Sequence, residues 1–450
     1  MAEAITQYGV FVEKLNFSRD VYSFANSSNS FWGCDEDELT SDDNFLDIGS
    51  GFSNHLAYTL RQQYGDGFFD MYEDLQAFAR QKWNRACFGM SATVALDKLG
   101  KIDVNGNVSN DINLANLDAP AENGLLRDII HYYHILQVMP HLYMNEEIGT
   151  PFYDDFLEEA IGLIDSQGLV MICYAFEVYE QDDGNLVPKT VGHCVVAYDY
   201  ELITGDIYRI SIYDPSYPDG TTYLTYNSVS GMMYKSDYTE DITRDGIDDN
   251  GEAFCMAAAA ITDFDNFDIF DIDDYHNTSL IGYLESGLTR SQNSEKYVAA
   301  DDIEGSSCIS GKAQIIIPID TICQIVNDKG EALVLESGEL SGNMQVYNCW
   351  PISIGDTYLS ILVEDSSSFC FSSQKPLIYF SVVQNGVYSR VSGENIETID
   401  IGADTINISG NGIIYDVKSS KGIADVKHCE TVQCKTDSVE LTMSSSEVDK

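Results

Sequence analysis

The spacing of apolar positions changes character along the chain. From Asn54 to about Trp83, HLAYTLRQQY and FFDMYEDLQAFARQKW set apolar residues at helical intervals, which predicts helix. Cys87 to Leu99 continues in the same way: Phe88, Ala92, Ala95, Leu96 and Leu99 fall on one face, and Gly100 supplies a stop. LLRDIIHYYHILQVMPHLYM predicts another helix, and so does FYDDFLEEAIGLIDSQG, opened by Pro151. At Leu169 the pattern becomes that of strands. LVMICYAFEVYE, HCVVAYDYELI and DIYRISIYD are β-branched and aromatic runs separated by the turn signals DGN and TGD. Helices first and sheet second is an α+β order, without the alternation of a doubly wound sheet.

From about Ser286 onward, AQIIIPI, EALVLES, YLSILVE, LIYFSVV and TINISGNGIIYDV recur with Gly, Asn and Asp between them, and helical periodicity is absent. That predicts an all-β, sandwich-like module ending in a polar tail after about Leu441. The chain therefore divides into residues 1–285, with an N-terminal lead-in and an acidic loop region, and an accessory β domain over 286–450. In the lead-in, YSFANSSNSF and CDEDELTSDD read as turn and loop. The acidic region, about Ser236 to Asp274, includes TRDGIDDNGE and FDNFDIFDIDD. TRDGIDDNGE lacks the spaced ligands and closing Glu of an EF-hand loop, and DVNGNVSND (Asp103–Asp111) lacks the glycine of its sharp turn. Polar turns are the default reading of both.

Charge narrows the partners. Seventy-three acidic against twenty-four basic residues give −49 on 450 residues, so nucleic acid and anionic membrane are disfavoured as partners. A basic peptide suits such a surface, and so does simple solubilisation. The hydrophobic share of 44% argues against disorder. No apolar run approaches the roughly 18 residues of a membrane span. MAEAITQYGV has no basic stretch followed by an apolar one. This leaves a cytoplasmic protein, or an exported one whose signal peptide is not in this sequence.

Eleven cysteines include no CxxC, and HCETVQC (His428 to Cys434) is a poor zinc pattern. His131 and His134 stand one helical turn apart with His141 nearby, but Ile, Tyr and Leu around them predict a packed helix rather than a metal site. Neither GxxxxGK[ST] nor GxSxG occurs. No metal and no cofactor is expected.

One constellation stands apart. Cys87 lies at a predicted helix N-terminus, where unpaired N–H groups and the helix dipole favour a thiolate. His193, in VGHCVVAYDY, opens a predicted strand, and Asp214, in IYDPSYP, closes the next one 21 residues later. Neighbouring antiparallel strands would bring the two together, with the carboxylate orienting the imidazole beside the thiol. Each has a bland alternative: a packed cysteine, a satisfied core histidine, an ordinary Asp-Pro turn. Gln81 precedes the cysteine by six residues.

In that order, Gln81, Cys87, His193 and Asp214 resemble the papain-like cysteine peptidases. HCVV and YDP are more similar to the branch containing the double-glycine leader peptidases. CFGMS looks like secreted bacterial relatives carrying extra β modules. The resemblance covers Gln81 to Tyr217, about a third of the chain. It implies a papain-like helical subdomain followed by an antiparallel β subdomain, and hydrolysis of a peptide or protein substrate. Cys87 would be the nucleophile, His193 the general base and acid, and Asp214 its orienting carboxylate. The Gln81 side chain and the Cys87 N–H would form the oxyanion hole. A secreted or cell-surface protein follows, whose β module binds a surface or another protein. Phe88, standing where many relatives have glycine, would narrow the cleft, and Cys194 beside His193 departs from the pattern. Two alternatives stay open: an inactive scaffold serving as an adhesin or binding protein, and a transglutaminase-type acyl transferase.

Overall fold

The computed structural model describes residues 14–35, 85–109, 113–138, 156–182, 185–220, 222–229, 233–235, 252–259, 312–336, 339–354, 356–364, 366–384, 387–401, 405–411, 413–420, 426–428, 432–434 and 438–442. Gln81, the helix expected over 54–83, His141 and most of the acidic region lie outside them. The chain is mixed helix and strand with antiparallel sheets, an α+β protein. Five helices are described: α1 (Ser28–Trp32), α2 (Cys87–Lys98), α3 (Val104–Val108), α4 (Gly124–Ile135) and α5 (Phe156–Gln167). None is long and apolar enough to cross a membrane.

The helix carrying Cys87 is not the amphipathic surface helix that its spacing suggests. Every residue of α2 from Cys87 to Leu96 is buried, because the helix is covered on several sides. Gly89 faces α4 so closely that a Cβ there would lie 2.0 Å from the Ile130 carbonyl oxygen, so no larger residue fits. Ser91 Oγ donates to the Cys194 carbonyl at 3.0 Å, tying α2 to the sheet. The lead-in residues lie alongside the helix. Asp20 pairs with Lys98 at 2.7 Å, Tyr22 Oη donates to Thr93 Oγ1 at 2.9 Å, and Asn26 Oδ1 accepts the Ala86 N–H at 2.8 Å. Gly100 ends α2 as its position predicts, with φ at 66° and the Lys101 N–H returning to the Leu96 carbonyl.

Six strands follow: β1 (Val170–Asp182), β2 (Asn185–Thr204), β3 (Ile207–Tyr213), β4 (Thr222–Asn227), β5 (Met233–Lys235) and β6 (Glu252–Ala259). They close into a barrel in sequence order, with β6 returning to β1. β6 falls inside the stretch read as acidic loop, so that reading is corrected there: EAFCMAAA is the strand that completes the barrel. β2 also begins earlier than expected. His193 is a mid-strand residue opposite Tyr174, because Pro188 and Gly192 are accommodated within the β1–β2 ladder instead of breaking it.

The described C-terminal half is all β: β7 (Lys312–Pro318), β8 (Ile322–Asn327), β9 (Ala332–Glu336), β10 (Glu339–Gly342), β11 (Val346–Ile354), β12 (Asp356–Glu364), β13 (Phe369–Gln384), β14 (Val387–Ile401) and five further strands. Hydrogen bonds join all thirteen into one branched sheet rather than two separate ones. β13 pairs β8 through its first residues and β7 through its last, with register shifts between. Strands that change partner at bulges let a continuous sheet turn over an enclosed core. Its face is built into the helical half, where Trp350, Ile352, Tyr358 and Leu362 share a cluster with Phe88, Ile130 and Tyr133. Trp350 Nε1 donates to the Gln137 carbonyl at 2.9 Å, and Gln314 Nε2 to the Val138 carbonyl at 2.8 Å.

Candidate active site

Cys87, His193 and Asp214 come from α2, β2 and the residue just past β3, and the fold brings them together. β2 and β3 pair antiparallel with Val196 opposite Tyr213, which sets Asp214 toward the His193 end of β2. His193 Nε2 and Asp214 Oδ1 are 2.8 Å apart, with the histidine side chain 9% exposed and the aspartate 0%. Asp214 Oδ1 also accepts the Ser216 N–H at 2.8 Å, an Asx turn that fixes the carboxylate before a partner arrives. The Cys87 side chain lies beside His193 on the helix side, close enough to contribute to the rise of the imidazole pKa. With Nε2 facing Asp214, Nδ1 is the ring nitrogen left for the thiol. Tyr174 stands edge-on to the imidazole, ring centroids 5.6 Å apart at 87°, and limits its rotation.

Burial alone would strip His193 of its proton. The Asp214 carboxylate and its hydrogen bond outweigh that, with a further contribution from Cys87, and raise the imidazole pKa to about 9. At neutral pH the ring is an imidazolium held between an acid and a sulfur. Cys87 is the first residue of α2, and the helix ladder begins with the Met90 N–H on the Ala86 carbonyl. The Cys87 amide is therefore left over by the helix, next to its own thiol. The arrangement can polarise a thiol, donate a proton from the imidazole, and present an N–H to a developing oxyanion.

Other sequence candidates are placed elsewhere. Phe88, expected in the cleft, is 1% exposed in the core. His131 stacks on Phe31 with centroids 5.7 Å apart, while the Gly89 N–H approaches His134 Nδ1 at 3.4 Å. Both are core histidines, and among the described residues no group of three or more His, Cys, Asp or Glu is set to hold a metal. Asp103 caps α3 by accepting the Gly106 N–H at 2.7 Å, so DVNGNVSND opens as a helix rather than as a calcium loop. Cys194 faces Cys173 across the β1–β2 ladder, sulfurs 3.3 Å apart. Burial pushes the Cys194 thiol well up, and Cys173 adds to the effect. Adjacent to His193 in sequence, Cys194 is held on the other face of the strand.

Three contributors escape sequence reading. Asn26 and Thr357 reach the site from 61 residues before Cys87 and from the β module, where no local pattern signals them. Arg85 gives a conformational sign only in three dimensions: its φ is 81°, a left-handed backbone that a non-glycine residue adopts at a cost. Compared with known proteins, the chain matches no family model, no curated protein and no solved structure.

Proposed function

We propose that the chain is a papain-like cysteine peptidase. One observation carries the reading: a buried carboxylate at 2.8 Å from Nε2 of an imidazole that also lies beside a cysteine at a helix start. A helical region that supplies the sulfur, followed by an antiparallel barrel that supplies the imidazole and carboxylate, supports a papain-like arrangement.

In this reading Cys87 Sγ attacks a peptide carbonyl carbon, and the carbonyl oxygen takes the negative charge against the Cys87 N–H. The role of Gln81 as the second donor rests on the resemblance alone. The imidazolium of His193 gives its proton to the departing amine, leaving a thioester on Cys87. Neutral His193 then takes a proton from water, whose oxygen attacks the thioester carbonyl and frees the acid and the thiol. Asp214 keeps the ring oriented through both halves. The acidic surface favours basic peptides, and export with the β module engaging a surface belongs to the same proposal.

The 4% exposure of Cys87 favours a second reading, a scaffold that binds without cleaving. Alkylation at pH 5.5, with mass-spectrometric mapping of the modified cysteine, separates the two. An ordinary thiol is then only about one part in a thousand thiolate. Selective labelling of Cys87 that vanishes in His193→Ala, with hydrolysis of a basic peptide mixture by the wild type, is the expected result. Labelling of Cys87 no faster than of the other cysteines would count against the peptidase.

A further inference from the structure

We infer that Asn26 is a positioning residue of this site: its buried side chain holds the turn before Cys87, while its main chain holds the turn after Asp214. Four observations converge on it. The Asn26 Oδ1 accepts the N–H of Ala86, the residue before Cys87, at 2.8 Å. Its carbonyl accepts Nη1 of Arg85 at 2.8 Å, one residue further back. Its own N–H donates to the carbonyl of Pro215, the residue after Asp214, at 2.8 Å. Finally, Asn26 is 1% exposed, and its Nδ2 has no hydrogen-bond partner among the described residues.

These bonds join directly the backbone entering α2 and the backbone leaving β3. Ala86 is the N-cap of α2 but has no side chain able to cap. An ordinary cap would take an N–H from the second or third helical residue. Asn26 takes that of the cap residue itself and leaves the Cys87 amide alone. Arg85, in its left-handed conformation, is held by the same residue. A buried donor without an acceptor is costly, which makes Asn a poor choice for filling space. An accepting oxygen at this point is what the arrangement uses.

This assignment rests on the peptidase reading, and the test keeps the two apart. His193 is titrated by NMR in isotope-labelled full-length protein, and alkylation of Cys87 is timed at pH 5.5, for wild type, Asn26→Ala, Asn26→Asp and Gln314→Ala. Gln314 is an equally buried amide that joins the β module to the helical half and lies outside the site. In the wild type, His193 should titrate near 9. Asn26→Ala should lower that midpoint by about a unit or more and slow alkylation about tenfold, because a looser pair loses charge stabilisation. Asn26→Asp keeps the accepting oxygen, its buried carboxyl staying neutral at pH 5.5, and should label within about twofold of wild type. Gln314→Ala should lose thermal stability with both readouts unchanged. Should Asn26→Ala fail to fold, Asn26→Asp decides: strong loss of labelling in that folded variant overturns the assignment. So does Asn26→Ala behaving like Gln314→Ala. If the wild-type midpoint is near 9 but no peptide is cleaved, the peptidase reading fails and the positioning role stands. A wild-type midpoint near 6.5 removes both.

Discussion

Two buried polar regions lie close together in this molecule and do different things. At the seam between the helical half and the β module, Gln314 and Trp350 donate to backbone carbonyls of residues 137 and 138. At the candidate site, His193 and Asp214 face each other and Cys87. The seam pairs groups that keep one protonation state, so its hydrogen bonds satisfy buried atoms and fix an orientation. The site pairs groups that can carry charge, and the bonds made to His193 raise its pKa. Burial marks both regions equally. What separates them is whether the partner can titrate.

The sharpest way to break the comparison is to remove the titrating member. His193→Ala should lower hydrolysis by about 10⁴-fold or more, since nucleophile and base act as one unit. It leaves the Asp214 carboxylate buried beside a void, so stability should fall too, by roughly 3–5 kcal/mol. Gln314→Ala, compared under the same conditions, should lose stability and keep turnover. Parallel hydrolysis assays and denaturant melts give the answer; equal effects on turnover would erase the distinction.

Asp214→Asn changes charge while keeping shape. The His193 midpoint should drop from about 9 toward its ordinary value, and turnover should fall on the order of 10²- to 10⁴-fold. The sign of the stability effect follows from the direction of the shift. A histidine whose folded pKa is raised stabilises the fold fully below its unfolded value of about 6.5. That contribution is lost as pH rises through about 9. It amounts to something on the order of 3 kcal/mol. The stability gap between wild type and Asp214→Asn should therefore be widest near pH 6 and narrow by pH 9.5, as read from melts across that range. A gap independent of pH would mean that His193 is not the group responsible.

Cys87 and Asp214 were legible because they sit at element boundaries that leave marks in sequence, whereas His193 lies in mid-strand. Cys87 opens a helix that Gly100 ends, and Asp-Pro follows the last residue of β3. What was not legible is how far the elements around them are buried and how long they run. The one-sided spacing of Phe88, Ala92, Ala95 and Leu96 describes a helix with one wet face. Ser91 and Thr93 on the remaining surface are buried as well, each hydroxyl donating to a backbone carbonyl. Small polar residues satisfied by nearby carbonyls can line a buried face, and periodicity counts them as exposed. β2 starts eight residues before His193 because the ladder accommodates Pro188 and Gly192, residue types that usually interrupt strands. Asn26 was invisible for a different reason: its partners are close in space and far in sequence.

Trp350 measures how much the seam holds. Its indole is fully buried and donates to the Gln137 carbonyl. Trp350→Ala opens a large cavity and leaves that carbonyl without its donor. A loss of roughly 3–5 kcal/mol is expected. Well below the melting temperature, hydrolysis should stay within about threefold of wild type. A large drop in turnover with stability intact would show the seam to be part of the catalytic geometry.

The smallest expected effect comes from the point where the two regions touch. Thr357, in the β module, accepts through Oγ1 the N–H of Gly192 at 3.1 Å, and Gly192 precedes His193. Thr357→Val keeps the shape and removes the acceptor. The Gly192 amide then loses a hydrogen bond worth about 1 kcal/mol, which a melt should detect. His193 itself stays gripped by Asp214, Cys87 and the edge of Tyr174. Labelling of Cys87 at pH 5.5 should therefore change by less than about twofold. If it falls tenfold instead, the β module reaches the imidazole through a single backbone amide, and the boundary between the two regions runs through the site rather than beside it.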